Sequence, residues 1–213
     1  MPDSATVRAA ARQPRFIQVH GPDAAVSSEA LSAGLLATSA TIAPKYFYDR
    51  LGSRLYDAIT ELPEYTPPRT EAAILATHAQ EIAATVGTAR TLVDLGAGNC
   101  EKAGRMFATL KPRRYVAVDI SVDHLRNSLR CLQREHPQID MIGVGLDFSS
   151  ALVLPPEVGD GSRTLFYPGS SIGNFTPVEG GRIPAPRTHG LAGRQPVDRC
   201  RPGQGPRCAR RCL

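Results

Sequence analysis

Two glycines, two carboxylates and a carboxamide stand at the ends of apolar runs in this chain, in an order suited to holding a nucleoside. Gly96 and Gly98 follow Thr91-Leu92-Val93-Asp94-Leu95. That run predicts a buried strand, and the glycine pair a turn whose backbone can approach a ligand where a Cβ would collide. The alternative is an ordinary strand–turn–helix corner, since a lone glycine-rich turn is a weak signal. Asp119 ends the run Tyr115-Val116-Ala117-Val118, 23 residues after Gly96. An acid about 20 residues past such a turn can accept hydrogen bonds from both hydroxyls of a ribose; the plainer reading is a helix N-cap or a turn acid. Asp147, followed by Phe148, ends a third run from Ile139 to Leu146. It offers an acceptor for an adenine amino group beside a ring that can pack on the base. Taken alone it reads as a turn residue. Asn174 follows a fourth run, Arg163-Thr164-Leu165-Phe166-Tyr167-Pro168, within Gly169-Ser170-Ser171-Ile172-Gly173-Asn174-Phe175.

Such a series works only if one sheet delivers all four turns to the same edge. Residues 91–177 alternate apolar runs with helical periodicity, and Val122, Leu125, Leu129 and Leu132 share one helical face. This alternation predicts an α/β fold with a parallel sheet and right-handed crossovers, ligands lying outside the carboxyl ends of the strands. Residues 28–88 read as helical, broken by the three prolines between Leu62 and Arg69. Ile74, Leu75, Ile82 and Val86 fall on one helical face suited to packing on something larger. Residues 1–27 read as poorly ordered.

The glycine turn departs from the dinucleotide pattern G-x-G-x-x-G, because the sixth position from Gly96 is Glu101. The third glycine allows close helix–strand packing in NAD and FAD sites. Its absence favours S-adenosylmethionine (SAM), which has no pyrophosphate to seat on a helix N-terminus.

Four segments together resemble the SAM-dependent histidine Nα-methyltransferases of ergothioneine biosynthesis. They are Pro44-Lys45-Tyr46-Phe47-Tyr48-Asp49, then Leu62-Pro63-Glu64-Tyr65 with Pro68-Arg69-Thr70-Glu71, then Asp94-Leu95-Gly96-Ala97-Gly98 with Glu101-Lys102, and finally Gly169–Pro177. Their order and spacing match from about residue 30 to about residue 179. The resemblance implies a class I, Rossmann-like methyltransferase domain over 89–179, incomplete, preceded by a helical substrate-binding segment over 28–88. It implies that Gly96, Lys102, Asp119, Asp147 and Phe148 line the SAM site. Tyr48, Tyr65 and Asn174 would hold L-histidine, with Tyr48 and Asn174 at the reacting amine. The implied reaction passes three methyl groups to one α-amine, giving trimethylhistidine (hercynine), the first step of the pathway. Without the resemblance, Tyr48 and Tyr65 read as packing aromatics and Lys102 as a solvated helix residue.

That chemistry sets its own demands. Transfer from a sulfonium is an in-line displacement, so lone pair, methyl and sulfur must be aligned. Only the neutral amine attacks, so the site must favour it or accept its proton. One carboxamide can donate to a carboxylate and accept from an amine, and aromatic rings suit the cation that accumulates with methylation.

Composition bounds the rest. The 213 residues suffice for one domain with a real core. No run approaches about 20 apolar residues, so no membrane span is expected, and no apolar leader follows the N-terminal arginines. A cytoplasmic protein is expected, with Cys100 and Cys131 as free thiols, no metal site, and a monomeric state if full-length. From Gly180 to Leu213 the chain carries eight arginines against one acid, with six glycines, five prolines and three cysteines. Its net charge of +7 exceeds the +5 of the whole chain. Such a segment cannot repay its ordering entropy. It lacks aromatics to stack nucleic-acid bases and any C-x-x-C pair for zinc. It reads instead as out-of-frame translation of GC-rich DNA. The expectation is a chain frameshifted or truncated after about residue 179 and inactive by itself. The alternatives are a methyltransferase of another small amine and a non-enzymatic basic nucleic-acid-binding fragment.

Overall fold

A computed structural model describes residues 12–19, 24–120, 122–148, 152–159 and 161–175. The expectations for residues 1–11 and for the basic tail lie outside the described residues. Five strands form one wholly parallel sheet: β1 (Arg15–Gln18), β2 (Thr91–Leu95), β3 (Arg114–Asp119), β4 (Asp140–Gly145) and β5 (Arg163–Phe166), in the spatial order β1-β4-β3-β2-β5. The helices are α1 (Ala24–Leu35), α2 (Arg50–Thr60), α3 (Pro67–Val86), α4 (Glu101–Leu110) and α5 (Val122–Glu135). Each of the four strands expected after residue 90 is present, and α4 and α5 form the crossovers β2–α4–β3 and β3–α5–β4.

The strand β1 corrects the expectation of disorder over residues 1–27, as does the start of α1 at Ala24. Phe16 and Ile17 supply apolar side chains, and β4 supplies room for them. A Cβ on Gly143 would stand 2.8 Å from the Phe16 ring, so this glycine leaves the space that Phe16 fills. Arg126 lies over the other side of that ring, 4.8 Å from its centroid. The β4 edge is therefore paired, not open.

Both faces of the sheet are closed, which is why β2, β3 and β4 are almost continuously apolar. On one face Leu92, Tyr115, Ala117 and Met141 meet Met106, Phe107 and Leu110 of α4 and Leu125 and Leu129 of α5. α3 joins them through Leu75, Ala79, Ile82 and Ala83, whereas Ile74 and Val86 stay 39% and 45% exposed. On the other face Val93, Val116, Val118, Ile142 and Val144 pack with Leu152, Leu154 and Val158. Those five strand residues are fully buried.

Asp94 is the exception in the interior, a carboxyl in the middle strand pair. Tyr115 Oη donates to its Oδ2 at 2.8 Å. Burial pushes this carboxyl up to about 7, against the opposing pull of the Tyr115 bond and the Lys102 charge. The native state thus holds the proton more tightly than the unfolded chain, whose value is near 3.8. The associated stability is complete below about pH 4 and is lost as pH rises towards about 7. The urea midpoint should therefore fall across this window in the unaltered chain. Asp94→Asn keeps an acceptor for Tyr115 and should flatten that fall; an unchanged slope would remove Asp94 as its source.

The helical segment before the sheet is held differently. Among residues 28–88 whose burial is described, Ser53 alone is buried. The 3₁₀ turn Pro44–Phe47 and α2 meet where the Gly52 amide donates to the N-cap Asp49 Oδ1 at 2.7 Å. A Cβ on Gly52 would lie 1.7 Å from the Phe47 carbonyl oxygen, a backbone atom that cannot swing away. Gly52→Ala should destabilise this junction by about 1–3 kcal/mol. Because the junction lies outside the core, the loss should register as faster amide exchange over residues 44–60 with little change in the urea midpoint.

Candidate active site

The chain reverses after β2 through three residues with positive φ: Gly96 at 68°, Gly98 at 52° and Cys100 at 63°. Gly96 and Ala97 both donate to the Val118 carbonyl at the end of β3, at 2.9 and 3.1 Å. The Gly98 amide donates to Asp119 Oδ2 at 3.0 Å. One carboxylate thus ties the first turn to the second. Both glycines are used for their freedom at positive φ. A Cβ on Gly96 would meet Phe148 and Tyr167 at an ordinary 3.9 Å, and one on Gly98 would meet nothing within 4 Å. Cys100 is buried, and burial pushes its thiol well up, which fits a packing role and not a reactive thiolate.

Along the carboxyl ends of the strands runs a cavity of about 670 Å³. Gly96, Gly98, Lys102, Asp119, Asp147 and Phe148 line it, as do Tyr48 and Asn174. The structure therefore brings the expected residues to one space, with one exception. Tyr65 does not line the cavity; its ring stacks edge-on against Tyr56, 6.4 Å between centroids. Tyr56 in turn meets Tyr48 edge-on at 5.9 Å. Tyr56 was not anticipated. Its position eight residues after Tyr48 and one turn after Gly52 carries no signal until α2 is known to form the cavity wall.

Three phenols here hold their protons tightly. Burial, then a hydrogen bond with Tyr65, pushes Tyr56 up to about 12. Burial raises Tyr48 and lifts Tyr167 to about 12. At neutral pH they are donors and ring faces, not bases. The Tyr167 hydroxyl is buried in the cavity wall with no hydrogen-bond partner among the described residues. Its ring meets Phe148 edge-on at 5.7 Å.

Three charged contacts join the helical segment to the sheet's turns. Lys45 Nζ lies 3.0 Å from Asp147 Oδ2, Lys102 Nζ lies 2.6 Å from Glu71 Oε2, and His124 Nε2 stands 3.7 Å from Asp57 Oδ2. Lys102 Nζ also lies where a Cβ of Gly169 would come within 2.9 Å, and Gly169 has φ 94°. Lys102 is thus wedged between α3 and the turn leading to Asn174. Lys45, Asp57, His124 and Arg69 are further cavity residues that sequence reasoning missed. Among the described residues no group of three or more His, Cys, Asp or Glu could hold a metal ion, and no helix is long and apolar enough to cross a membrane.

The chain is similar to known proteins over most of its length. A family profile described as "Histidine-specific methyltransferase, SAM-dependent" matches residues 27–184. The histidine N-alpha-methyltransferase of Mycolicibacterium smegmatis is 42% identical over 150 residues, covering 68% of this chain and 46% of that protein. The enzyme of the same description from Mycobacterium tuberculosis is 40% identical over 149 residues, 68% of this chain and 45% of its own length. N-methyltransferase fsqC of Aspergillus fumigatus is 31% identical over 186 residues, 80% of this chain and 51% of that protein. The chain spans about half the length of these relatives. With the profile covering most of its length, the chain belongs to the SAM-dependent, histidine-specific methyltransferase family.

Proposed function

We propose that this cavity seats SAM along the strand ends and a histidine α-amine beneath the helical segment, for Nα-methylation of L-histidine towards hercynine. The carrying observation is that Gly98–Asp119, Asp147–Phe148, Tyr48 and Asn174 face one cavity. SAM would supply a methyl group on a sulfonium: the amine, its proton first given up to solvent, would form the N–C bond as the S–C bond breaks, with S-adenosylhomocysteine as the leaving group.

The residues divide the work. Asp119, held by the Gly98 amide, presents a carboxylate to the ribose hydroxyls. Asp147 and Phe148 serve the adenine edge and face. Lys102, oriented by Glu71, offers a cation to a carboxylate. Asn174 accepts from the amine while donating to the amino-acid carboxylate, and Tyr48 donates to an oxygen. Tyr48 orients the amine and does not deprotonate it, because its own proton is held above the ordinary phenol value. Tyr48 and Tyr56 form an aromatic wall suited to the product cation, with Tyr65 packed against Tyr56.

Another amine is the competing substrate, since a relative described as a 4-dimethylallyltryptophan N-methyltransferase, from Claviceps purpurea, is 27% identical over 156 residues. The higher identity to the two histidine enzymes favours histidine.

The two ends of the site separate by titration calorimetry on the 213-residue chain. Asp119→Asn should weaken S-adenosylhomocysteine binding on the order of 10- to 100-fold, through loss of charge-assisted bonds to the ribose. Asn174→Ala should leave that affinity within about twofold and weaken L-histidine binding, measured with S-adenosylhomocysteine present, by about tenfold or more. Equal loss of both ligands in both variants would refute the division. Tighter binding of a tryptophan-derived amine than of histidine would move the substrate assignment.

A further inference from the structure

The geometry points to Lys45 as a positioning residue that couples the nucleoside end of the cavity to its substrate end, an inference that rests on the cofactor reading above. Lys45 belongs to the short turn Pro44–Phe47, and Tyr48 follows immediately. The turn is closed by two backbone bonds, Tyr46 N–H to the Ala43 carbonyl and Tyr48 N–H to the Lys45 carbonyl. One rigid turn of chain therefore carries both an ammonium and a phenol into the same cavity. The ammonium meets Asp147 at 3.0 Å, the acid placed at the adenine edge. On that reading the phenol serves the substrate.

The turn lies at the surface. None of Pro44–Phe47 is buried, and Phe47 is 60% exposed. The Lys45–Asp147 pair is about one-third exposed on each side, so water still screens it. A purine ring seated against Phe148 would exclude that water and fix the Asp147 carboxylate through its amino group. The same pair then attracts more strongly, because the local dielectric falls. Filling the nucleoside end should thus tighten the turn and with it the position of Tyr48. Reciprocity requires the converse: a substrate that orders Tyr48 favours the nucleoside.

Hydrogen exchange reads this directly, without turnover. The 213-residue chain is compared with Lys45→Met and Lys45→Arg, each with and without saturating S-adenosylhomocysteine, saturation being set by calorimetry. In the unaltered chain the ligand should slow exchange of the Tyr46 and Tyr48 amides by about fivefold. Lys45→Met should still bind the ligand but lose this ligand-induced slowing, and Lys45→Arg should retain it. A purely structural lysine would change exchange equally with and without ligand. Slowing that survives in Lys45→Met, or ligand binding that never slows these amides in the unaltered chain, overturns the coupling and leaves the cofactor site standing. Failure of the unaltered chain to bind S-adenosylhomocysteine overturns the cofactor reading and the coupling together.

Discussion

The backbone reversal after β2 is the constraint on which everything else hangs. A strand buried on both faces must end, turn and start a helix within six residues, and it does so by spending three positions in the left-handed region. Two of these are glycines, for which that region costs little; the third, Cys100, has a side chain small enough to be enclosed. The turn is then pinned from outside, by the Val118 carbonyl and the Asp119 carboxylate. Because β3 supplies both anchors, the order of strands in the sheet determines where the glycines point. Asp119 thereby holds the turn and lines the cavity.

Around this reversal the molecule uses two kinds of cohesion. The sheet, α4 and α5 are joined by buried apolar surface, each large side chain contributing about 1.5–3 kcal/mol. The segment from α1 to the start of α3 contributes little to that core and is tied by charged contacts and tyrosine edges instead. Contacts of the second kind are individually weak and sensitive to water. They nevertheless converge on the cavity, so the less firmly held part of the chain forms one of its walls.

Much of this was legible in the sequence. Apolar runs ending in acids predict strands whose carboxyl ends hold ligands, and β2 to β5 lie where those runs lie. The series Gly96, Asp119, Asp147, Asn174 depends only on local pattern and on the topology of a parallel sheet, and it converges as expected. What sequence could not give is whatever depends on packing between distant segments. β1 is too short to announce itself, and its partner, Gly143, reads as a flaw in a strand until Phe16 fills it. Tyr56, His124 and Lys45 reach the cavity because α2 and the preceding turn dock across the strand ends, an arrangement no periodicity encodes. The face of α3 was placed in part: Leu75 and Ile82 pack as expected, but helical periodicity allows neighbouring stripes, and only the docked position selects Ala79 and Ala83 over Ile74 and Val86.

The division between an apolar sheet and a charge-tied cap bears on how such a protein can change over generations. Substitutions within α2 and the Pro44–Phe47 turn touch almost no buried surface, so most of them leave the folded state intact. A cavity wall held in this way can be altered without first drawing on the stability reserve of the sheet.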